Sequence, residues 1–176
     1  KDCVDYSFLD GLIFITLYDN FIERMILDVK YKFNFSILGD VGKVMGKFLK
    51  FYNFRENYIL TPVPLHKRKK KYRGFNQAEI LALEISKYLN KDCEELITRS
   101  RYTHTQVGFS KKEREQNLKN AFEIDNKKLD HINSHESVLI IDDVFTTGST
   151  LNECAKILKN AGVSKVYGFV FAIARL

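Results

Sequence analysis

The amino-acid sequence predicts an α/β protein built on a central, mostly parallel sheet flanked by helices. Segments rich in β-forming residues alternate along the chain with amphipathic helical segments, which is typical of this class. Residues 138–173 carry the clearest signal: a continuous apolar run at 138–141, a polar loop, a helical segment and a final apolar segment. An uninterrupted apolar run is expected for a strand buried on both faces of a parallel sheet. These residues therefore predict a β-loop-α-β unit.

The earlier elements follow in the same alternating order. Residues 12–18 are dominated by β-forming residues and predict the first strand. Asp19 and Asn20 come next and are of the types that cap helix N-termini. The spacing of apolar residues then predicts helices over residues 21–30, 39–51 and 78–89, and short apolar runs predict strands over residues 58–60 and 96–98.

The second half of the chain adds a long loop and closes the sheet. Residues 100–120 are polar and basic and predict a long mobile loop with a helical end, a length typical of functional loops. After the buried strand, residues 151–161 predict a helix, and Gly162 stands where helices often end in a left-handed residue. Residues 166–173 predict the last strand.

Length and composition exclude several classes of protein. With 176 residues, of which 45% are apolar and 28% charged, the chain is expected to form one domain over residues 1–176. No uncharged apolar run approaches the roughly 18 residues of a membrane-spanning helix, and we see no secretory signal. The three cysteines form no C-x-x-C pair, which predicts neither a disulfide framework nor a zinc site. We expect a cytoplasmic protein.

Positive charge is concentrated in the middle of the chain. The net charge is +6, but residues 61–120 alone carry 14 Lys and Arg against 7 Asp and Glu, which makes this segment +7. Such asymmetry predicts a polyanionic partner, either nucleic acid or a phosphorylated metabolite. The alternative is a solvated basic face without a ligand.

A phosphate site is predicted between the buried strand and its helix. Asp142 and Asp143 follow the apolar run, and small hydroxyl-bearing residues with one glycine open the helix: Thr146, Thr147, Gly148, Ser149 and Thr150. Hydroxyls, close backbone approach at glycine and helix N–H groups together suit a phosphate. The two carboxylates would repel a phosphate, so we expect them to accept hydrogen bonds from sugar hydroxyls. The alternative is that Thr147 and Ser149 only cap the helix.

Residues 138–150 resemble the phosphoribosyl-pyrophosphate (PRPP) motif of type I phosphoribosyltransferases, with four apolar residues, two acids and T-T-G-S-T. Residues 62–68 with residues 73–77, and the later residues Gln106, Arg114, Asn117, Ala121 and Phe122, are similar to the ComF/GntX branch. The resemblance implies a type I phosphoribosyltransferase-like fold, with a small N-terminal hood over about residues 1–57 and a PRPP-binding core over about 58–176. It also implies that Mg²⁺ is held through PRPP and waters, without direct protein ligands. Members usually carry an N-terminal zinc ribbon, and zinc is expected here only if such a ribbon exists.

The same resemblance assigns roles to individual residues. It implies catalytic roles for Asp142, Asp143 and Arg114, and PRPP binding by both aspartates and the Thr146–Thr150 loop. The diphosphate side of the site is assigned to a basic loop that contains Arg68, Arg73, Gly74, Asn76 and Gln77. A flexible loop that closes over the site is assigned Gln106, Arg114 and Asn117.

The basic run at residues 67–73 holds six cations in seven positions and supports a second interpretation. Lysines would track a nucleic-acid backbone and aromatic rings would stack on bases, here Lys67, Lys69, Lys70, Lys71, Tyr72 and Phe75. Two hypotheses of function follow. One is a phosphoribosyltransferase that acts on an unknown nitrogen acceptor and is associated with competence and DNA uptake. The other is a non-catalytic single-stranded-DNA-binding or regulatory module in natural transformation, with other competence proteins as partners.

Overall fold

The computed structural model describes residues 8–32, 35–101, 118, 120–129 and 137–174. Its strands are β1 (Gly11–Leu17), β2 (Tyr58–Pro62), β3 (Ile97–Arg99), β4 (Phe122–Ile124), β5 (Ser137–Phe145) and β6 (Lys165–Ile173). Its helices are α1 (Asn20–Lys32), α2 (Phe35–Tyr52), α3 (Lys67–Arg73), α4 (Gln77–Leu89), α5 (Asn126–Leu129) and α6 (Ser149–Asn160). Within these residues, none of the helices has the length and apolar character that crossing a membrane requires.

Four of the strands form a parallel sheet in the order β1-β6-β5-β2. The predicted α/β class with a central parallel sheet is thereby confirmed. Strands β3 and β4 form a separate antiparallel pair. Strand β5 is longer than the apolar run at 138–141 suggests, because its pairing with β6 continues to Phe145 opposite Ile173. Asp142 and Asp143 therefore lie within the strand, and not in the loop that follows it.

The core occupies both faces of the sheet. On one face, Val138 and Ile140 of β5 pack in a cluster with Leu151 and Leu158 of α6. On the other face, alternate residues of β5 pack with apolar side chains of α2 and α4, among them Leu139, Ile141, Met45, Leu81 and Ile85. Since successive strand residues point to opposite faces, a continuous apolar run is what two covered faces require.

Helices α1 and α2 follow the first strand as predicted. Asp19 caps α1, because its Oδ1 accepts hydrogen bonds from the backbone N–H groups of Phe21 at 3.0 Å and Ile22 at 2.9 Å. Gly42 allows α2 to pack tightly on α4, since a Cβ at this position would lie 2.6 Å from the Cβ of Glu84. Strand β1 belongs to the central sheet and α2 contacts α4. The hood role of residues 1–57 stays a prediction.

The basic run at residues 67–73 is a helix, whereas the resemblance places a loop there. His66 caps the N-terminus of α3, and its Nδ1 accepts a hydrogen bond from the Arg68 backbone N–H at 3.1 Å. Gly74 ends the helix at φ +81°, and its N–H donates to the Lys70 carbonyl at 2.7 Å. Caps at both ends explain why so short and highly charged a segment is helical.

Candidate functional site

The loop after β5 has the form of a phosphate-binding turn. Gly148 adopts φ +76° and precedes the first turn of α6. The hydroxyls of Thr147 and Ser149 lie 2.9 Å apart, and Gly148 occupies the N-cap position of the helix, where it supplies no side-chain hydrogen bond. Asp142 and residues 144–151 line a small hollow at this point. Hydroxyls and helix N–H groups at a left-handed glycine are the groups that hold phosphates.

The two carboxylates of β5 point to different surroundings. Asp142 is half-buried and lines both the hollow and the larger cleft beside it. Asp143 is only 9% exposed, and its Oδ2 accepts a 3.4 Å hydrogen bond from Nε2 of Gln77. Its Oδ1 accepts from the backbone N–H of Val144 at 3.0 Å. Asp142 therefore faces the space that a ligand would enter, whereas Asp143 supports the first residue of α4.

Three cations converge on the larger cleft, which has a volume of about 210 Å³. Lys69 and Arg73 come from α3 and Arg99 from the end of β3, and they face Asp142 and Thr150 across the cleft. Burial lowers the pKa of Lys69, and the charges of Arg99 and Arg73 lower it further. Because the three side chains line one cleft, an anion bound there would lie near all of them.

Arg99 is held in place by its surroundings. Its guanidinium lies 5.1 Å from the centre of the Phe122 ring, in the geometry of a cation–π contact. Burial lowers the pKa of Arg99, while Cys154 and the carboxylate of Asp142 act in the opposite direction. The guanidinium nevertheless stays charged at any physiological pH.

Polar side chains tie α3 and α4 to the sheet beneath the cleft. Arg73 Nη1 donates a 2.6 Å hydrogen bond to Oε1 of Gln77, which donates in turn to Asp143. Asn76 is buried, and its Nδ2 donates to the carbonyl of Val63 at 3.0 Å. These bonds connect the cation cluster to the carboxyl ends of β2 and β5, the edge at which open α/β sheets bind ligands.

The structure separates the predicted site residues into two groups. Those that line the cleft or the adjoining hollow are Lys69, Arg73, Asn76, Gln77, Asp142 and residues 146–150. Lys67, Arg68, Lys71 and Gly74 are exposed and line neither space, and Lys67 lines a neighbouring pocket with Lys70 and Arg99. Gln106, Arg114 and Asn117 lie outside the described residues, as does most of the long loop predicted for residues 100–120.

Lys70 differs from its predicted nucleic-acid role. Its Nζ lies 2.6 Å from Oε2 of Glu79 and 3.7 Å from Oε1 of Glu95. The hydrogen bond to Glu79 raises the pKa of Lys70. Its charge is thus already paired within the protein, and it is poorly placed to bind a polyanion.

Arg99 is the cleft residue that the sequence does not reveal. It follows a short predicted strand and lies in the +7 segment, and these two features are the only sequence signals that mark it. Its approach to α3 depends on how the β3–β4 pair packs on the main sheet, and this packing is not encoded locally.

Magnesium fits the donor set of the cleft only as a partner of a phosphorylated ligand. Among the described residues, no group of three or more His, Cys, Asp or Glu side chains could hold a metal ion. Asp142 alone brings a carboxylate to the open cleft beside the cations. Magnesium keeps several waters and is often bound through one or two carboxylates plus substrate phosphates, an arrangement that Asp142 would allow.

A hydroxyl-lined turn, a carboxylate and a cation cluster thus lie together at one edge of an α/β sheet. Residues 71–175 match the model of the phosphoribosyl transferase domain family. The chain belongs to this family, and the predicted type I fold and the resemblance to the ComF/GntX branch are confirmed.

Relatives of this chain are competence and DNA-utilization proteins. It is 40% identical over 117 residues to Competence protein F of Haemophilus influenzae, covering 66% of this chain and 49% of that protein. It is 40% identical to DNA utilization protein YhgH of Escherichia coli K12, covering 61% and 45%. It is 31% identical to Competence protein ComFC of Bacillus subtilis, covering 61% and 40%. The chain therefore matches these relatives over about half of their length or less.

Proposed function

We propose that this domain binds Mg-PRPP and transfers its phosphoribosyl group to a nitrogen acceptor. One observation carries the proposal: the hollow at the hydroxyl-lined turn adjoins the cleft of Lys69, Arg73 and Arg99, and Asp142 lines both. PRPP carries a phosphate, a ribose and a diphosphate in this order, and the three groups of residues match them in kind.

Each part of the cleft has a distinct task in this proposal. The turn at residues 146–150 holds the 5′-phosphate through hydroxyls and helix N–H groups. Asp142 accepts hydrogen bonds from ribose hydroxyls and stabilises positive charge that develops on the sugar. The cations stabilise the negative charge of the departing diphosphate. Magnesium, when bound, neutralises part of that charge, and Arg114 of the predicted flexible loop would add another cation.

The transfer itself is a substitution at C1 of the ribose. The bond from C1 to the diphosphate oxygen breaks and its electron pair leaves with the diphosphate. The lone pair of the acceptor nitrogen forms the new C1–N bond, and the nitrogen then loses a proton to water. The site supplies position and electrostatic stabilisation to this reaction, which suits a cleft rich in fixed charges.

Calorimetric titration of PRPP with and without magnesium tests the proposal. We expect magnesium-dependent binding to the wild type, weakened on the order of tenfold or more in Asp142→Asn, because a hydrogen bond to a charged group is lost. Asp40→Asn is the matched control, since Asp40 is exposed on α2 and its carboxylate pairs with Lys43 at 3.3 Å. Absence of PRPP binding in the folded wild type would refute the proposal.

A second candidate function is binding of single-stranded DNA by the outer face of α3. Lys67, Arg68 and Lys71 are exposed there beside Tyr72, whose side chain is 85% exposed. Exposed cations interleaved with an aromatic ring suit a nucleic-acid single strand. We propose that such binding would occur in the cytoplasm with other competence proteins.

Salt dependence separates this second function from PRPP binding. DNA affinity should fall linearly on a log–log plot against salt. Charge reversal at Lys67 and Lys71 should abolish it and leave PRPP affinity nearly unchanged. DNA binding that persists after both reversals would exclude the outer face of α3 as the contact surface.

A further inference from the structure

Helix α3 presents two cations to the cleft although none of its own residues is buried. Its first turn contains no acidic residue, so Lys67 and Arg68 lie unfavourably at the positive end of the helix dipole. Lys69 and Arg73 are like charges four residues apart on one helix face, which also destabilises a helix. The buried Phe75 anchors the chain just after α3, but no residue of the helix itself enters the core, so polar contacts contribute to its orientation.

The ion pairs of Lys70 are the contacts best placed to hold this orientation. Lys70 bonds at 2.6 Å to Glu79 of α4, and its ammonium also lies 3.7 Å from Glu95, which precedes β3. Lys70 stands next to Lys69 in the chain and one turn before Arg73 along the helix. The two ion pairs of Lys70 therefore join α3 to α4 and to the segment that leads into β3. Both elements supply further residues of the cleft.

We infer that Lys70 and Glu79 form a positioning pair that turns the cation face of α3 toward the diphosphate of PRPP. This inference rests on the proposed function. Neither residue touches the ligand in this account, because Lys70 is bound to carboxylates and Glu79 does not line the cleft. Both act through Lys69 and Arg73.

The direction in which Glu79→Gln changes PRPP affinity distinguishes a positioning role from a simple effect of charge. Glu79→Gln removes a negative charge near an anion site, so electrostatics alone predicts tighter binding of PRPP. Positioning predicts weaker binding, since α3 loses its anchor. Partly exposed ion pairs shift equilibria by about fivefold at most, so we expect about a two- to fivefold loss of affinity at low salt that fades as salt screens the pair.

Calorimetry and amide hydrogen exchange on the full chain test the inference together. Glu84→Gln is the matched control, because Glu84 is also on α4 and pairs with Lys87 at 2.7 Å but does not line the cleft. We expect Glu79→Gln and Lys70→Met to weaken PRPP binding and to speed exchange of the α3 amides about fivefold. We expect Lys70→Arg, which keeps the charge, to restore both, and Glu84→Gln to change neither.

Failure of the positioning role and failure of the proposed function give different results. Tighter or unchanged PRPP binding in Glu79→Gln, with unchanged exchange in α3, would overturn the positioning role. Wild-type protein that binds neither PRPP nor inorganic diphosphate would overturn the proposed function. In that case the exchange of α3 amides still decides whether Lys70 and Glu79 fix the helix.

Discussion

Replacement of Gln77 by methionine should disconnect the cation cluster of the cleft from the carboxylate beneath it. Gln77 is 7% exposed, accepts a hydrogen bond from Arg73 at 2.6 Å and donates one to Asp143 at 3.4 Å. Methionine has a similar volume and a flexible chain, so it removes both hydrogen bonds without leaving a large cavity.

The expected loss of stability follows from the burial of the two partners. Removing a donor from a buried polar group costs about 1–3 kcal/mol. The bond to Asp143 is near the upper limit of length, which places its contribution at the lower end, about 1 kcal/mol. Arg73 is only partly buried, so water can replace most of the hydrogen bond that it loses with Gln77. We therefore expect Gln77→Met to lower the free energy of unfolding by about 1–1.5 kcal/mol.

The effect on PRPP binding has a different origin. Once Gln77 no longer holds Arg73, the ligand itself must order this side chain, at a cost of about 0.5–1.5 kcal/mol, or about two- to tenfold in affinity. Urea unfolding and calorimetric titration measure the two effects on the same samples. Lys87→Met, an exposed substitution on the same helix, is the control and should change the free energy of unfolding by less than about 0.5 kcal/mol. If Gln77→Met changed neither stability nor affinity, the role of this hydrogen-bonded chain would be refuted.

Two further predictions concern the turn and the cation cluster. Gly148→Ala should destabilise the protein by about 1–2 kcal/mol, because Gly148 has φ +76° and a side chain is strained at this backbone angle. The control is Gly39→Ala, where nothing lies within 4 Å of the added Cβ. It should stabilise α2 by up to about 1 kcal/mol. Urea midpoints that do not move in opposite directions would contradict this. For Lys69, burial and the nearby arginines lower the pKa, so the ammonium loses its proton at a lower pH than an ordinary lysine. A bound anion favours the protonated form, so PRPP affinity should fall as pH rises through a range below that of an ordinary lysine, and Lys69→Met should flatten that part of the profile.

The amino-acid sequence by itself determined those parts of the protein that depend on neighbouring residues in the chain. The apolar run at 138–141, the hydroxyl-rich turn and the glycine at 148 are contiguous, so strand, turn and helix could be predicted together. Asp19 acts as a helix cap for the same reason, since its partners lie two and three residues away.

Tertiary structure decided which charges share the cleft. Arg99 meets α3 because the β3–β4 pair packs beside it, and Lys70 forms ion pairs with Glu79 of α4 and with Glu95, which precedes β3. A run of six cations in seven residues looks uniform in the sequence. Helical geometry points Lys69 and Arg73 inward, turns Lys70 toward carboxylates and leaves Lys67 and Lys71 exposed. The interaction between two charges depends on their separation in space, and for residues far apart in the chain the fold sets this separation.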